Sequence, residues 1–356
     1  VGARAATVRD VARRAGVSVA TVSYVLTGSR RVADATRLRV EAAIRDLDYR
    51  PNRQAQGLAR SRVDTLAVVL PRDRSQADPL FSEFLRGVGL AAHGRGFHTL
   101  IVLEQNLADP AAYAALVQGS AAAGLIISGI RTPDPRLEQL RAQRIQVVLF
   151  GRGEESSGIP WVDVDNVGAV QAAVVHLAGL GRRRIGFLGG PAGYAFSADR
   201  LDGYRRGLSA AGLVHDPRLV GEGAKDDDAA YQLVRRMLAQ EAPDAVIAWS
   251  DEAALGALRA AQEAGRRVGL DLAIVGFDDT PLARTAFPPL TSVRQPVFEA
   301  GRRAAGLLID LLQGVVPEQM SVRLPAELVV RASTAGAAGA RGGPAGAPGG
   351  ERIPAD

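Results

Sequence analysis

The residues of this chain that could do covalent chemistry do not stand in working arrangements. Its four histidines, His93, His98, His176 and His215, have neither metal-ligand nor triad spacing. There is no cysteine, which excludes disulfides, thiolate catalysis and cysteine-ligated metals. No phosphate-cradling glycine loop and no GxSxG nucleophile elbow occurs. The adjacent acids Asp278 and Asp279 are too common a feature to indicate hydrolysis. No catalysis, metal or cofactor is therefore expected. What the residues offer is recognition. RPNRQAQGLARSR, residues 50–62, sets arginines and amides around an apolar Leu58 flanked by Gly57 and Ala59. Residues 1–62 hold many arginines and few acids, whereas acids gather later, as in KDDD at 225–228. The net charge is only +5. A basic end on a near-neutral body points to a polyanion partner for that end alone.

The elements that must position these groups fall into two textures. With 356 residues, 47% of them hydrophobic, the chain can build two or three domains with real cores. The first texture is helical. In TVRDVARRAG, Thr7 is an N-cap with Asp10 three residues on, and Val8, Val11, Ala12 and Ala15 recur at helical spacing before Gly16 ends the helix. Ser18 can cap the next helix, whose Val22, Val25 and Leu26 form an apolar face. A third helix fits DATRLRVEAAIRDL, with Leu38, Val40, Ile44 and Leu47 inward, and Pro51 stops the run. Three short helices with a tight turn between the first two make the helix-turn-helix pattern.

The second texture begins at Val63. TLAVVLP, HTLIVLE, AGLIISG, QVVLFGR, RRIGFLGGP, DAVIAWSD and LAIVGFDD are short apolar runs. Helical segments separate them, at about 79–93, 110–119, 135–143, 168–179, 198–211, 229–240 and 252–264. This alternation predicts βαβ units and buried parallel sheets, with six or seven strands in one sheet or two. PWVDVDNVG, 160–168, breaks the rhythm and reads as a crossing between two similar lobes. From 335 onward the Gly/Ala/Pro-rich tail is expected to be disordered. No apolar run reaches the ~18 residues of a membrane span. VGARAATVRD lacks the apolar core of a secretory signal, so a cytoplasmic, nucleoid-associated chain is expected.

VRDVARRAGVSVATVSYVLTG, followed at fixed distance by TRLRVEAAIRDLDYRPNRQAQGLA, resembles the LacI/GalR family of transcriptional repressors. RRIGFLGGP, DRLDGYRRGL, SDEAALGALRA and VGFDDTPLARTAFPPLTSVRQP extend the resemblance in the same order, over about residues 6–334. It implies an all-α helix-turn-helix head at 1–50, a hinge helix at 51–62 and an α/β body at 63–334. The body would consist of two doubly wound parallel-sheet lobes of the type I periplasmic-binding-protein-like kind. The N-lobe would take about 63–163 and 295–322, the C-lobe about 164–294 and 323–334.

In such a head the second helix reads the major groove. The resemblance places Val19 and Ala20 on base edges, as apolar contacts, Thr21 and Ser23 on phosphate with Tyr24 beside them, and Thr36, Tyr49 and Asn52 on the backbone; Thr7 and Ser18 join the DNA-binding set, and a plain solvated helix face is the alternative for Ser23 and Tyr24. Tyr24 departs from the arginine often found there and cannot make arginine's bidentate pair with guanine, so a changed base preference is expected. Ala33 stands where a capping serine is usual, and Asp34 is expected to cap instead. Leu58 matches the family's minor-groove wedge, with Ala55 one turn earlier; packing of Leu58 on the partner hinge or on the core is the open alternative. Gly57 disfavours helix by ~1 kcal/mol against alanine, so the hinge should depend more than usual on DNA to fold.

For the body the resemblance implies an effector in the cleft between lobes, near strand C-termini. The polar candidates are Arg152, Asp165, Asn166, Arg200, Asp251, Asp278 and Gln295. Carboxylates and arginine facing one cleft can bond vicinal hydroxyls. Phe81, Trp161 and Trp249 could face a sugar ring, with core packing as the alternative for each. The expected function is a homodimeric repressor of sugar uptake or catabolism genes, bound to a palindromic operator and released by a sugar. The stretches DPLFSEFLRGV and GGPAGYAFSADRLDGYRRGL resemble regulators of α-glucoside or other oligosaccharide uptake. A purine or phosphorylated effector, or an effector acting as corepressor, remains open. A transport-binding protein would share the body but not the first 62 residues.

Overall fold

The computed structural model describes residues 6–27, 30–49, 63–71, 79–104, 111–153 and 158–339. The chain divides into two compact units, Val1–Val63 and Asp64–Asp356.

The first unit is three helices: α1 Val8–Ala15, α2 Val19–Thr27 and α3 Asp34–Asp46. A reciprocal capping box joins Thr7 and Asp10 at the start of α1, and Gly16, left-handed at φ +65°, closes it. Ser18 Oγ accepts from the Thr21 amide at 3.1 Å and so caps α2. Val11, Ala12, Ala15, Val22, Val40 and Ala43 form the core, with Val25, Ile44 and Leu47 packed against it. Two expectations fail. Leu38 is 58% exposed: the inward stripe of α3 is 40, 43, 44 and 47, and a residue two positions before Val40 points about 200° away from it. Asp34 does not cap α3. Ala33 occupies the cap with no side-chain bond, and Asp34, already inside the helix, pairs with Arg37 at 2.9 Å.

The second unit holds two six-stranded sheets, ordered β11-β5-β4-β3-β1-β2 and β12-β10-β9-β8-β6-β7. The first contains β1 Thr65–Leu70, β2 His98–Leu103, β3 Gly124–Ile127, β4 Val147–Phe150, β5 Trp161–Val164 and β11 Ser321–Leu324. The second contains β6 Ile185–Leu188, β7 Val220–Gly221, β8 Ala245–Ala248, β9 Ala273–Asp278, β10 Thr291–Arg294 and β12 Glu327–Val329. Among the described pairings of these strands only β10–β12 is antiparallel. The central strands are buried along their length because helices cover both faces of each sheet.

Every apolar run seen in the sequence is a strand, but β5, β7, β10, β11 and β12 were not counted among the six or seven. Each has two to four residues, too short to show a period. Their pairing comes from the neighbouring strand edge. The 16-residue helix Val297–Leu312 was also missed, since small residues, Ala300, Gly301, Ala304 and Ala305, make up much of its buried face. They let it lie backbone to backbone on the helix Pro79–Gly94: a Cβ on Gly301 would stand 2.2 Å from the Phe84 carbonyl oxygen, and one on Gly87 2.1 Å from that of Phe298.

PWVDVDNVG is both strand and crossing. β5 ends at Val164 in the first sheet, and the helix Asn166–Gly179 packs on the second. The chain returns after β10 and leaves again between β11 and β12. β11 runs to Leu324 because Arg323 and Leu324 pair with Asp163 and Val164. Composition assigned residues from 335 to a disordered tail, yet a helix continues through Ala332–Gly339. It is anchored by buried Ser333, whose Oγ donates to the Ile274 carbonyl at 2.6 Å and accepts from the Thr291 amide at 2.8 Å.

Candidate functional site

β1, β3, β4, β5 and β6 deliver their C-terminal ends to one cleft between the sheets. Phe81 and Phe150 stand on the first-lobe wall, with Phe150 stacked on Phe84 at 4.4 Å. Tyr194 and Phe196 stand on the second-lobe wall, stacked at 5.2 Å, and Phe196 continues onto buried Trp249 at 6.0 Å. Between these aromatic walls lie Arg152, Asp163, Asn166, Arg200 and Gln295.

Arg200 is almost wholly buried. Its Nε donates to Asn166 Oδ1 at 2.9 Å, one terminal nitrogen donates to the Trp249 carbonyl, and the guanidinium lies 3.6 Å from the Phe277 ring centroid. It is thereby held rigid against the crossing residue Asn166, as a preorganised donor must be. Arg152 follows β4 and reaches two acids, Asp163 at 3.3 Å and Asp199 at 3.2 Å. Burial pushes the Asp163 carboxyl up to about 6, against the Val164 amide bond and the Arg152 charge. Burial also raises Asp199.

Of the residues expected to meet an effector, the structure brings Phe81, Arg152, Asn166, Arg200 and Gln295 onto this cleft. It leaves Asp165, Trp249, Asp251 and Asp278 off the wall. Asp165 caps the helix Asn166–Gly179 through the Gly168 amide at 3.2 Å. Trp249 is buried and donates its indole N–H to the Ala224 carbonyl. Asp251, also buried, accepts from the Thr280 amide and hydroxyl at 2.7 and 2.9 Å and from Ser292 at 2.6 Å. Burial, then the Asp278 charge, pushes it up to about 7. Asp278 accepts from Gln295 Nε2. Trp161 does not line the cleft; its ring lies 6.0 Å from the Arg152 guanidinium. Asp163, Phe150, Tyr194 and Phe196 were not foreseen. The only sequence signal was an acid inside the apolar strand WVDV and two aromatics in GYAF directly after a strand-end glycine pair.

The raised Asp163 gives a pH dependence. Its folded-state value exceeds the unfolded one, so the folded protein holds that proton more tightly. This contribution is complete below the unfolded value near ~4 and is lost as pH rises through about 6. A shift of that size amounts to at most about 3 kcal/mol. Asp163→Asn should therefore lose less stability than the parent between about pH 4 and pH 7. Parallel melting curves for the two proteins would rule this out.

In the head, Ser18, Val19, Ala20 and Ser23 are exposed on and before α2, and Thr21 and Tyr24 are half-buried. The Ser18 and Thr21 hydroxyls are bonded at 2.9 Å, and the Arg30 guanidinium lies 5.9 Å from the Tyr24 ring centroid. The Thr7 hydroxyl donates to Asp10 at 2.6 Å. Thr36 is half-buried. Tyr49 packs on the head core, and burial raises its phenol. Asn52, Ala55 and Leu58 lie outside the described residues.

Residues 7–52 match the bacterial regulatory proteins of the lacI family, and residues 174–334 match the periplasmic binding protein-like domain. The chain is 37% identical over 336 residues to the HTH-type transcriptional regulator CelR of Thermobifida fusca, spanning 93% of this chain and 98% of that protein. It belongs to the LacI family. Two solved LacI-family relatives share its architecture. A CelR–cellobiose complex superposes with TM-score 0.72 at 35% identity, over 92% of this chain and 99% of that one. The lac repressor dimer bound to operator and the anti-inducer ONPF superposes with TM-score 0.84 at 28% identity, over 93% and 99%. The helical head and two parallel-sheet lobes are those of a LacI-family DNA-binding transcriptional regulator. Among the described residues no helix is long and apolar enough to cross a membrane.

Proposed function

We propose that this LacI-family member is a cytoplasmic, nucleoid-associated repressor of sugar-uptake or catabolism genes, without enzymatic activity. It binds a palindromic operator as a homodimer, and a short neutral saccharide in the interlobe cleft releases it. The observation that carries this reading is the cleft itself. Aromatic faces stand on both lobes, and Arg152, Asn166, Arg200 and Gln295 lie between them. Apolar ring faces and equatorial hydroxyls of a pyranose ask for these two kinds of partner. Asp163 on the same wall opposes a polyanionic effector. The cellobiose carried by the CelR relative is a ligand of this class. Asp278 acts through Gln295, which it orients. Val19 and Ala20 read bases, while Thr21, Ser23 and Tyr24 flank them. Ser18, Thr7, Thr36, Tyr49 and Asn52 serve register, and Ala55 and Leu58 the minor groove.

The test is a melting-temperature screen of the full chain with cellobiose, maltose, cytidine and glucose 6-phosphate, paired with operator-binding titrations. A ligand of the native state adds about 2.7 kcal/mol of stability at a hundred times its dissociation constant, and the melting point rises accordingly. One of the disaccharides is expected to raise it and to weaken operator binding. A shift with cytidine or glucose 6-phosphate alone removes the saccharide reading and leaves the repressor. A disaccharide that tightens operator binding reverses the sign of the switch.

A further inference from the structure

The two lobes meet at a second place besides the crossings. The crossings leave from β5, β10 and β11, on one side of each sheet. Toward the other side, the loop after β3 lies against the loop after β6. Arg131 and Tyr194 form an antiparallel bridge there. The Ala195 amide donates to the Ile130 carbonyl and the Thr132 amide to the Gly193 carbonyl, each at 3.0 Å. The side chains repeat the contact: Arg131 Nη2 donates to the Tyr194 hydroxyl at 3.0 Å, and its guanidinium lies 4.4 Å from the Tyr194 ring centroid.

Each side of this contact is braced from its own lobe. Asp134 accepts from the Arg131 amide at 3.1 Å and is itself gripped by Arg136, which is fully buried and also donates to the Gly129 carbonyl at 2.9 Å. Tyr194 stacks on Phe196 and, through it, on Trp249. Tyr194 and Phe196 are also the second-lobe wall of the cleft. An arginine of one lobe therefore holds the aromatic wall of the other.

We propose that Arg131 and Tyr194 form a clasp that holds the lobes shut without effector, and that brings the second lobe's ring-stacking wall up to the first lobe in that shut state. Arg131 is a positioning residue: it acts on the effector through Tyr194. Its effect on effector affinity rests on the saccharide reading; its effect on lobe closure does not. Two main-chain bonds, one charged side-chain bond and one cation–ring contact are made only when the loops meet. Sugar binding and lobe closure are then linked, since an effector that stacks on Tyr194 binds the shut state better than the open one.

The experiment is hydrogen exchange on the full-length chain without ligand, read at segments 130–132 and 193–195, for the parent and for Arg131→Ala, Tyr194→Ala, Arg131→Lys and Tyr194→Phe. Arg131→Ala should speed exchange of 193–195, in the other lobe, by about tenfold, and Tyr194→Ala should do the same to 130–132. Amides of β3 and β6 report folding and should keep the parent's rates. The conservative variants each keep half of the side-chain contact and should fall between. Unchanged exchange in the opposite lobe, or two segments already unprotected in the parent, overturns the clasp. With cellobiose and maltose added, the parent's segments should slow further, and the alanine variants should need about tenfold more sugar for the same protection. If neither sugar alters the parent while the variants still open, the clasp stands and the saccharide reading falls.

Discussion

Replacing Arg136 by methionine lowers the stability of the body by about 3–5 kcal/mol. Arg136 is fully buried and donates to Asp134 through Nε and Nη2 at 2.8 and 2.6 Å, to Glu104 at 2.7 Å and to the Gly129 carbonyl. Asp134 and Glu104 are buried with it. Burial is the largest single influence and opposes the guanidinium charge, but the Asp134 bonds together with the Asp134 and Glu104 charges outweigh it and raise Arg136. Tyr113 donates to Glu104, and burial, then the Glu104 charge, push its phenol up to about 12. Methionine fills much of the space and leaves two carboxylates without their cation. Urea unfolding measures the loss. A loss under about 1 kcal/mol, the range of an exposed pair, would show that the acids find water and that the network is not the brace described. Adding Glu104→Gln and Asp134→Asn should recover part of the loss, because the stranded charges are then gone.

Arg200→Ala should weaken binding of the sugar that the screen identifies by about a hundredfold, roughly 2.7 kcal/mol. The substitution removes the donor to Asn166 and the Trp249 carbonyl and the cation packed on Phe277 and Phe196. Asn166 opens the second lobe, directly after the first crossing, so the arginine ties the crossing to the aromatic wall. Operator binding without sugar should stay within about threefold of the parent, because the head is a separate compact unit. Calorimetric titration with the sugar and anisotropy with operator DNA separate these effects. Arg200→Lys keeps the charge but not the planar fork and should sit between the two. A parental sugar response in Arg200→Ala would remove Arg200 from the site and shift the cleft's hydrogen bonding to Arg152 and Gln295.

The head was legible from local rules alone. Thr7 with Asp10, Gly16 and Ser18 act within four residues of themselves, and the apolar stripe of α1 is read at one period. The long strands were legible for the same reason: a strand buried on both faces is a continuous apolar run. Leu38 was misread because an apolar side chain alone does not show on which face it stands: two positions before Val40, it turns away from the stripe. Residues 335–339 were misread because composition says nothing of buried Ser333 and Thr334, which hold the start of that helix.

The site divides along the same line. The amino-acid order by itself determined a three-helix head and a parallel α/β body, since those follow from capping and period; the DNA-reading role of the head and the strand ends at which an effector would meet the body were what the family resemblance implied. It did not determine which strand-end residue faces inward. Asp165, Asp251 and Asp278 are as polar as Asp163, yet the first caps a helix, the second ties Thr280 and Ser292 together, and the third accepts from Gln295. Asp163 stands on the wall from within β5, which β4 and β11 hold between them, with Arg152 beside it. Contacts between residues such as Arg131 and Tyr194, 63 positions apart, belong to the tertiary structure alone. Both loops are short and irregular, without a period, and their partners are chosen by where two separately built lobes bring them.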